Sequence, residues 1–467
     1  MNENSFGVSL TRDIVISARK NGYDAISRLI KSASNVADLL FILQNIGSLP
    51  SDFGGQCFID LLKHENKEVR LWAVKNLGKI KSISNVDCFK SIIDNDDSTE
   101  VKREAVSSIG RMRSSTAIPV LIDILSNPDP KIVCQAIRGL LVFKGNSEVD
   151  EHLKKLITHE NEMVVSVISK EYYAKEKQVN STLPHVATWP FLENVVVNGD
   201  VRDVLQYVPE ESVHLTFTSP PYYNARDYSI YSSYVVYLNF LKKVFQETYR
   251  ITKEGRFLIV NTSPVIIPRV SRAHSSKRYP IPFDIHHDLV EMGWEFIDDI
   301  VWMKPEYSVK NRIGGFQQHR KPLAYKPNSI TEYLMVYRKQ TNRLIDWNIH
   351  QYSKEIVEQS KVADGFETTN VWQINPKPDK VHSAIFPYDL CKRVIEYYSF
   401  IGDLIFDPFG GSGTLGRTAK SLNRKFFMTE KDPRYFDYMK SFPRTNTSEQ
   451  KETQFLTLDQ FINAAAL

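Results

Sequence analysis

Cysteine is scarce in this chain and never clustered: Cys57, Cys88, Cys134 and Cys391 are its only four, with no Cys-x-x-Cys and no histidine group at ligand spacing. That excludes a zinc ribbon and a disulfide framework, so the thiols are expected reduced and buried and no metal is expected. Long apolar runs are missing as well. No stretch approaches the roughly 20 residues that cross a bilayer, and no cationic start precedes a short apolar segment. Membrane insertion and secretion are therefore not expected, and a cytoplasmic location is. A large excess of one charge is also absent, the net being +4 over 467 residues.

What is present is ordinary in bulk and uneven in placement. Apolar residues make up 42 % and charged residues 24 %, globular values. The length calls for two or three cores rather than one. From Lys304 to Arg343 there are nine Lys or Arg against two Glu, and from Pro264 to Arg278 four against none. These stretches carry a net +11 and leave about −7 for the rest. A basic strip on an otherwise acidic chain is the footprint of phosphate contact.

Between about residues 36 and 178 an apolar pattern recurs every 31 or 32 residues. Val69, Val101, Ile132 and Met163 align, as do Ala73, Ala105, Ala136 and Val167, and then Ile46, Leu77, Ile109 and Leu140. Spacing of i, i+4, i+8 is that of a helix face. Gly47, Gly78 and Gly110 follow the third position, where a helix C-terminus favours glycine. Each unit has room for two short helices, so residues 1–180 are expected to form an all-α, HEAT-like solenoid of four or five repeats. Such an array serves either as a scaffold for a protein partner, a restriction nuclease among them, or as a DNA contact along a basic face.

After a polar linker near Lys175 to Pro184 the pattern changes to short apolar runs: Val195–Val197, Val213–Thr218, Phe257–Asn261, Phe296–Trp302, Glu332–Tyr337, Leu404–Phe406 and Phe426–Thr429. Helical patterns at Tyr237–Tyr249, Phe283–Met292 and Asp389–Tyr398 lie between them. Strands alternating with helices predict a doubly wound, Rossmann-like α/β sheet over residues 185–445. Ligands of such sheets sit beyond the carboxyl ends of the strands. Two motifs fall there: Ser219-Pro220-Pro221-Tyr222, and Asp407-Pro408-Phe409-Gly-Gly411-Ser-Gly413-Thr414, whose glycines allow a tight turn into a helix. The following strand runs directly into Glu430, placing a carboxylate where it can take both hydroxyls of a ribose.

In this order the motifs resemble the circularly permuted, beta-group DNA amino-methyltransferases, over about residues 190 to 440. The resemblance implies S-adenosylmethionine as cofactor and double-stranded DNA as substrate. It implies that Asp407, Pro408, Phe409, Gly411, Gly413 and Thr414 form the cofactor loop and that Glu430 holds the ribose. Asp200 is similar to the acid that meets the cofactor's adenine amino group, and Phe386 and Pro387 to the segment that closes over its methionine part. Met428 departs from the pattern, since relatives often place glycine two residues before the acid.

The first motif suits the chemistry. An exocyclic base amine is a poor nucleophile because its lone pair is delocalised into the ring. Ser219 and the Pro220 carbonyl can accept its two hydrogens, and the proline pair fixes the direction of that carbonyl. Tyr222 can stack on the base once it is flipped out of the duplex. Methyl transfer by direct attack then needs no covalent enzyme intermediate. No Pro-Cys pair exists, which argues against carbon-5 cytosine methylation. Serine at the first position goes more often with N4 of cytosine, so a cytosine-N4 methyltransferase of a restriction-modification system is expected, with N6 of adenine as the alternative. RNA or a protein glutamine as acceptor, or a decayed enzyme kept as a scaffold, are the other readings. DNA contacts are expected from Arg269, Arg272, Lys310, Arg312, Arg320 and Lys321, and a short target-recognition region from residues 340–372. Residues 446–467 read as a tail whose end can dock as a helix.

Overall fold

The computed structural model describes residues 10–50, 52–173, 183–223, 231–267, 271, 273–274, 276–309, 314–323, 325, 327–376, 386–441 and 452–466. The chain divides into two compact units, residues 1–177 and 178–467. Among the described residues no helix is long and apolar enough to cross a membrane.

The first unit is a stack of helices. Val36–Asn45, Lys67–Ile80, Thr99–Arg111, Pro130–Leu140 and Glu162–Ile168 pack one on the next, each preceded by another helical segment. Helices Arg12–Lys20 and Tyr23–Lys31, which the periodicity leaves unmarked, come before the row. The aligned positions Val69, Ala73, Leu77, Val101, Ala105, Ile109, Ile132, Ala136 and Leu140 are all buried, as the helical spacing requires. The exceptions are in the last repeat, where Met163 is 55 % exposed and Val167 half-buried, the buried positions being Val164 and Ile168. Polar turns supply the caps: the side chains of Asn66, Asp129, Asn146 and Asn161 each accept a backbone N–H of the following helix. Arg70 reaches across a repeat to Asp96 with two bonds of 2.8 and 3.0 Å.

Two of the three glycines differ from expectation. Gly47 ends its helix at φ 77°, but Gly78 and Gly110 lie inside theirs. Their role is close approach: a Cβ on Gly110 would sit 2.9 Å from the Cα of Gly139, and one on Gly78 would sit 2.3 Å from Ser108 Oγ. The thiols also differ in part, since Cys57 and Cys391 are buried whereas Cys88 and Cys134 are half-buried, all four being free.

The second unit is built on a nine-stranded sheet, with a separate two-stranded ribbon beside it. Its strands are β1 (Val195–Asn198), β2 (Val213–Thr218), β3 (Thr252–Thr262), β4 (Val265–Ile267), β5 (Lys277–Tyr279), β6 (Trp294–Met303), β7 (Thr331–Lys339), β8 (Val371–Gln373), β9 (Leu404–Asp407), β10 (Lys425–Glu430) and β11 (Gln454–Thr457). The order is β11-β1-β10-β9-β2-β3-β7-β6-β8, parallel throughout except for β7, and β4 pairs with β5. Helices cover both faces, Tyr388–Tyr398 and Thr414–Ser421 on one and Tyr234–Ile251 and Ile281–Glu291 on the other. Strands buried on both sides read as continuous apolar runs, which is why β9 and β10 are visible in the sequence, whereas β2 is equally buried but alternates Val213, Leu215 and Phe217 with His214, Thr216 and Thr218.

The tail is more than a docked helix. Its β11 adds a parallel edge strand to β1, and the helix Leu458–Ala465 begins with a capping box between Thr457 and Gln460. Phe461 is fully buried and stacks on Phe427 at 5.6 Å.

Most of the stretch expected to read DNA lies elsewhere. The helices Ile345–His350 and Lys354–Gln359 are tied to the amino ends of the parallel strands. Asn348 Nδ2 donates to the carbonyl of Gly255 near the start of β3 at 2.7 Å, and the Tyr352 hydroxyl donates to Asp403, just before β9, at 2.5 Å. That is the edge of the sheet opposite the two motifs. Only the end of the stretch, where β8 climbs beside β6, returns toward the motif side.

Candidate active site

β2 and β9 are neighbours, and the chain leaves them in opposite directions: from β2 to β3 on one side, from β9 to β10 on the other. Adjacent strands whose connections diverge to opposite faces leave a crevice at their carboxyl ends. Ser219 follows β2 and Pro408 follows β9, so both motifs meet in that crevice. It opens into a cavity of about 1520 Å³, against roughly 300–1,000 Å³ for a site taking one drug-sized ligand. There is room for a nucleoside cofactor together with a base.

One half of the cavity is acidic and glycine-lined. Asp407 is buried and accepts from Thr218 Oγ1 at 2.7 Å and from the Phe409 N–H at 3.0 Å. Burial pushes its carboxyl up to about 6 in spite of those bonds. Glu430 accepts the N–H of Gly411 and that of Asp432, each at 2.7 Å, and burial raises it to about 7. Gly411 and Gly413 have φ of 53° and 73°, and a Cβ on Gly413 would lie 2.7 Å from Met439 Sδ. Met428 keeps the packing tight where a glycine was expected, because its side chain fills the space over Gly416, whose own Cβ would lie 2.6 Å from Met428 Cε.

Asp200 caps the helix Val201–Val204, is bonded twice by Arg202 and bridges to Lys431 at 3.1 Å. The Arg202 guanidinium holds its carboxyl well below the usual range. Phe409, Phe240 and Arg202 form an apolar wall beside it. Phe386 lines the cavity and stacks on Phe217 at 4.5 Å. Pro387 and Gly413 do not line it; each starts a helix behind it.

The other half holds the Ser-Pro-Pro-Tyr turn and a set of residues that sequence reading passed over. The Tyr222 hydroxyl donates to Glu332 at 3.0 Å, and Asn261 Nδ2 donates to the same carboxylate at 2.6 Å. Lys304 pairs with the second Glu332 oxygen and lies 4.2 Å from the centre of the Trp302 ring. Ser219 is joined to this set through Asn261 at 3.4 Å and through the Tyr222 hydroxyl. Burial, then the Glu332 charge, holds the Tyr222 phenol well above its ordinary value, so it stays a neutral donor. Asn261, Lys304 and Glu332 all sit at motif-side ends of β3, β6 and β7. A polar residue at the carboxyl end of an apolar strand was the signal available for Asn261.

Of the expected DNA contacts, Arg320 and Lys321 are exposed in the β6–β7 connection, which leaves the sheet on the motif side. Arg269, Arg272, Lys310 and Arg312 lie outside the described residues. No group of three His, Cys, Asp or Glu able to hold a metal is found among the described residues.

The fold and crevice define an α/β enzyme with a nucleotide-type cofactor site. A model of the DNA methylase family matches residues 213–441, and a model of HEAT repeats matches residues 86–168. The type II methyltransferase M.Cfr9I of Citrobacter freundii is 31 % identical over 272 residues, 51 % of this chain and 84 % of that protein. The orphan methyltransferase M.BamHII of Bacillus amyloliquefaciens is 30 % identical, over 48 % of this chain and 86 % of its own length. A putative DNA modification methylase from Thermus thermophilus, solved with S-adenosyl-L-methionine, is 24 % identical over 56 % of this chain and 98 % of that one, with a TM-score of 0.44. The chain belongs to the DNA methylase family: it is a DNA methyltransferase that uses S-adenosylmethionine, preceded by HEAT repeats.

Proposed function

We propose that this enzyme methylates N4 of cytosine in duplex DNA, as the modification arm of a type II restriction-modification system. The observation that carries the reading is the direction of hydrogen bonding at Ser219. Tyr222 gives its own proton to Glu332, so its oxygen is left to accept the proton of Ser219. One lone pair of Ser219 Oγ takes the Asn261 Nδ2 hydrogen at 3.4 Å, and the other is left as a neutral acceptor for a base amino hydrogen. Pro220 lines the same cavity and has a carbonyl with no competing N–H.

The residues present fit the cofactor. Glu430 has its carboxylate at a strand end in the cavity, suited to a ribose diol. The Gly411–Gly413 turn with Thr414 suits close approach of a ligand, and Asp200 with Phe409 suits the adenine end. When bound, S-adenosylmethionine supplies an electrophilic methyl on a sulfonium. The chain's own residues present the amine to it: Ser219 and the Pro220 carbonyl draw the nitrogen toward tetrahedral geometry, and Tyr222 backs the base. Lys304 lines the cavity beside Glu332. Its ammonium is a donor for the O2 carbonyl that cytosine has and adenine lacks.

Transfer of labelled methyl groups to unmodified duplex DNA, with structured RNA and cell protein offered as competing acceptors, tests the reading. Label in DNA is expected and is lost in Ser219→Ala. Label confined to RNA or protein would overturn it.

A further inference from the structure

The turns that end the first four helices of the stacked row each contain one residue with left-handed backbone. In the outer repeats it is glycine, Gly47 at φ 77° and Gly145 at φ 100°. In the two middle repeats it is a cation, Lys81 at φ 55° and Arg113 at φ 54°. A side chain is unfavourable in that conformation, and glycine or asparagine is usual there. Both cations are exposed.

Other cations gather at the same edge. Lys79 lies in the last turn of its helix, and its ammonium is held below the ordinary value by burial and then by Arg111, Arg19 and Lys75 around it. Arg19 is fixed there by its bond to the carbonyl of Ile46 at 3.2 Å. No acid occurs from Lys79 to Val86 or from Arg111 to Ile122. Acids collect instead in turns at the other ends of these helices, as at Asp96 and Asp97. Cations in a last helical turn are accounted for by the helix dipole, and Arg111 is partly answered by Glu104 at 2.6 Å. Lys81 and Arg113 lie past the helices in a disfavoured conformation, and neither reason covers them.

We propose that this basic edge of the repeat unit contacts the phosphate backbone of duplex DNA without reading sequence. Charge complementarity selects the partner, and the proposal rests on DNA being the enzyme's substrate.

The test uses the full chain and the double substitution Lys81→Gly, Arg113→Gly. Glycine suits both backbones, so the melting temperature is expected to hold or rise. Binding to a random-sequence duplex is measured by anisotropy across a salt series. Each phosphate contact contributes about 0.9 to the slope of log affinity against log salt, so the slope is expected to fall by about two. An unchanged slope would overturn the inference, and so would a duplex affinity unaffected while an acidic protein ligand is lost. Methyl transfer to DNA by the unsubstituted enzyme, run in parallel, decides separately the reading on which the inference rests.

Discussion

Thr218 and Asp407, 189 residues apart in the chain, share a 2.7 Å hydrogen bond at the carboxyl ends of β2 and β9. It joins the strand that carries Ser219 to the strand that carries the glycine turn, so a buried side-chain contact adds to the pairing of β2 with β9 in holding the two halves of the cavity together.

Thr218→Val keeps the shape and removes the donor. Asp407 Oδ1 then keeps only the Phe409 N–H, and the expected cost is about 1–3 kcal/mol for a buried carboxyl short of a partner. The Asp407 carboxyl is expected to titrate above its present value of about 6. Urea unfolding and calorimetric titration with S-adenosylmethionine check both effects, and an unaltered stability would contradict the first.

Glu430 gives the protein a pH dependence with a definite sign. Its carboxyl is raised from 4.5 to about 7 by burial, so between those values the folded chain holds a proton that the unfolded chain has released. Stability of the ligand-free protein from this group is full below about 4.5 and declines as pH rises through about 7. Two ribose hydroxyls require the ionised form as acceptor, so cofactor affinity is expected to rise over the same interval. Asp407, raised from 3.8 to about 6, acts in the same sense at lower pH. Glu430→Gln should flatten the upper part of both profiles and weaken cofactor binding about 10- to 100-fold, the loss of one or two charge-assisted bonds. Dissociation constants at pH 5.5 and 8 measure it.

Tyr222 combines a ring with a relay, and two substitutions separate them. Tyr222→Phe keeps the stacking surface and removes the acceptor for the Ser219 proton, lowering turnover about 5- to 30-fold, or roughly 1–2 kcal/mol. Tyr222→Ala loses the ring as well, a further 1–3 kcal/mol of the kind that base stacking contributes. Steady-state turnover on saturating DNA reads the difference: a Phe variant as fast as the unsubstituted enzyme would remove the relay, and equal rates for the Phe and Ala variants would remove the contribution of the ring.

Phe461 tests the terminal strand. It is fully buried and stacks on Phe427, so Phe461→Ala is expected to cost about 3–5 kcal/mol in a denaturant titration. A cost below about 1 kcal/mol would mean that β11 and its helix are not part of the folded core.

Much of this was legible beforehand, for physical reasons. Buried parallel strands such as β9 and β10 carry apolar residues on both faces and are flanked by turns, and the repeat period survives because each helix must bury the same positions. Gly110 was misread because a glycine one residue from the end of a helix looks the same in sequence whether it ends the helix or lets Gly139 approach. The Gln340–Trp372 stretch was misplaced because sequence order cannot say which end of a sheet a connection crosses; Asn348 and Tyr352 decide that through partners far away in the chain. Glu332 escaped notice for the same reason: an acid entering a strand becomes informative only once Tyr222, Asn261 and Lys304 converge on it.

Nucleoside mass spectrometry of unmodified DNA treated with enzyme and S-adenosylmethionine decides whether the amine methylated is N4 of cytosine, as proposed. N4-methylcytosine is expected, and it should be absent from the Ser219→Ala reaction. N6-methyladenine as the sole product would contradict it.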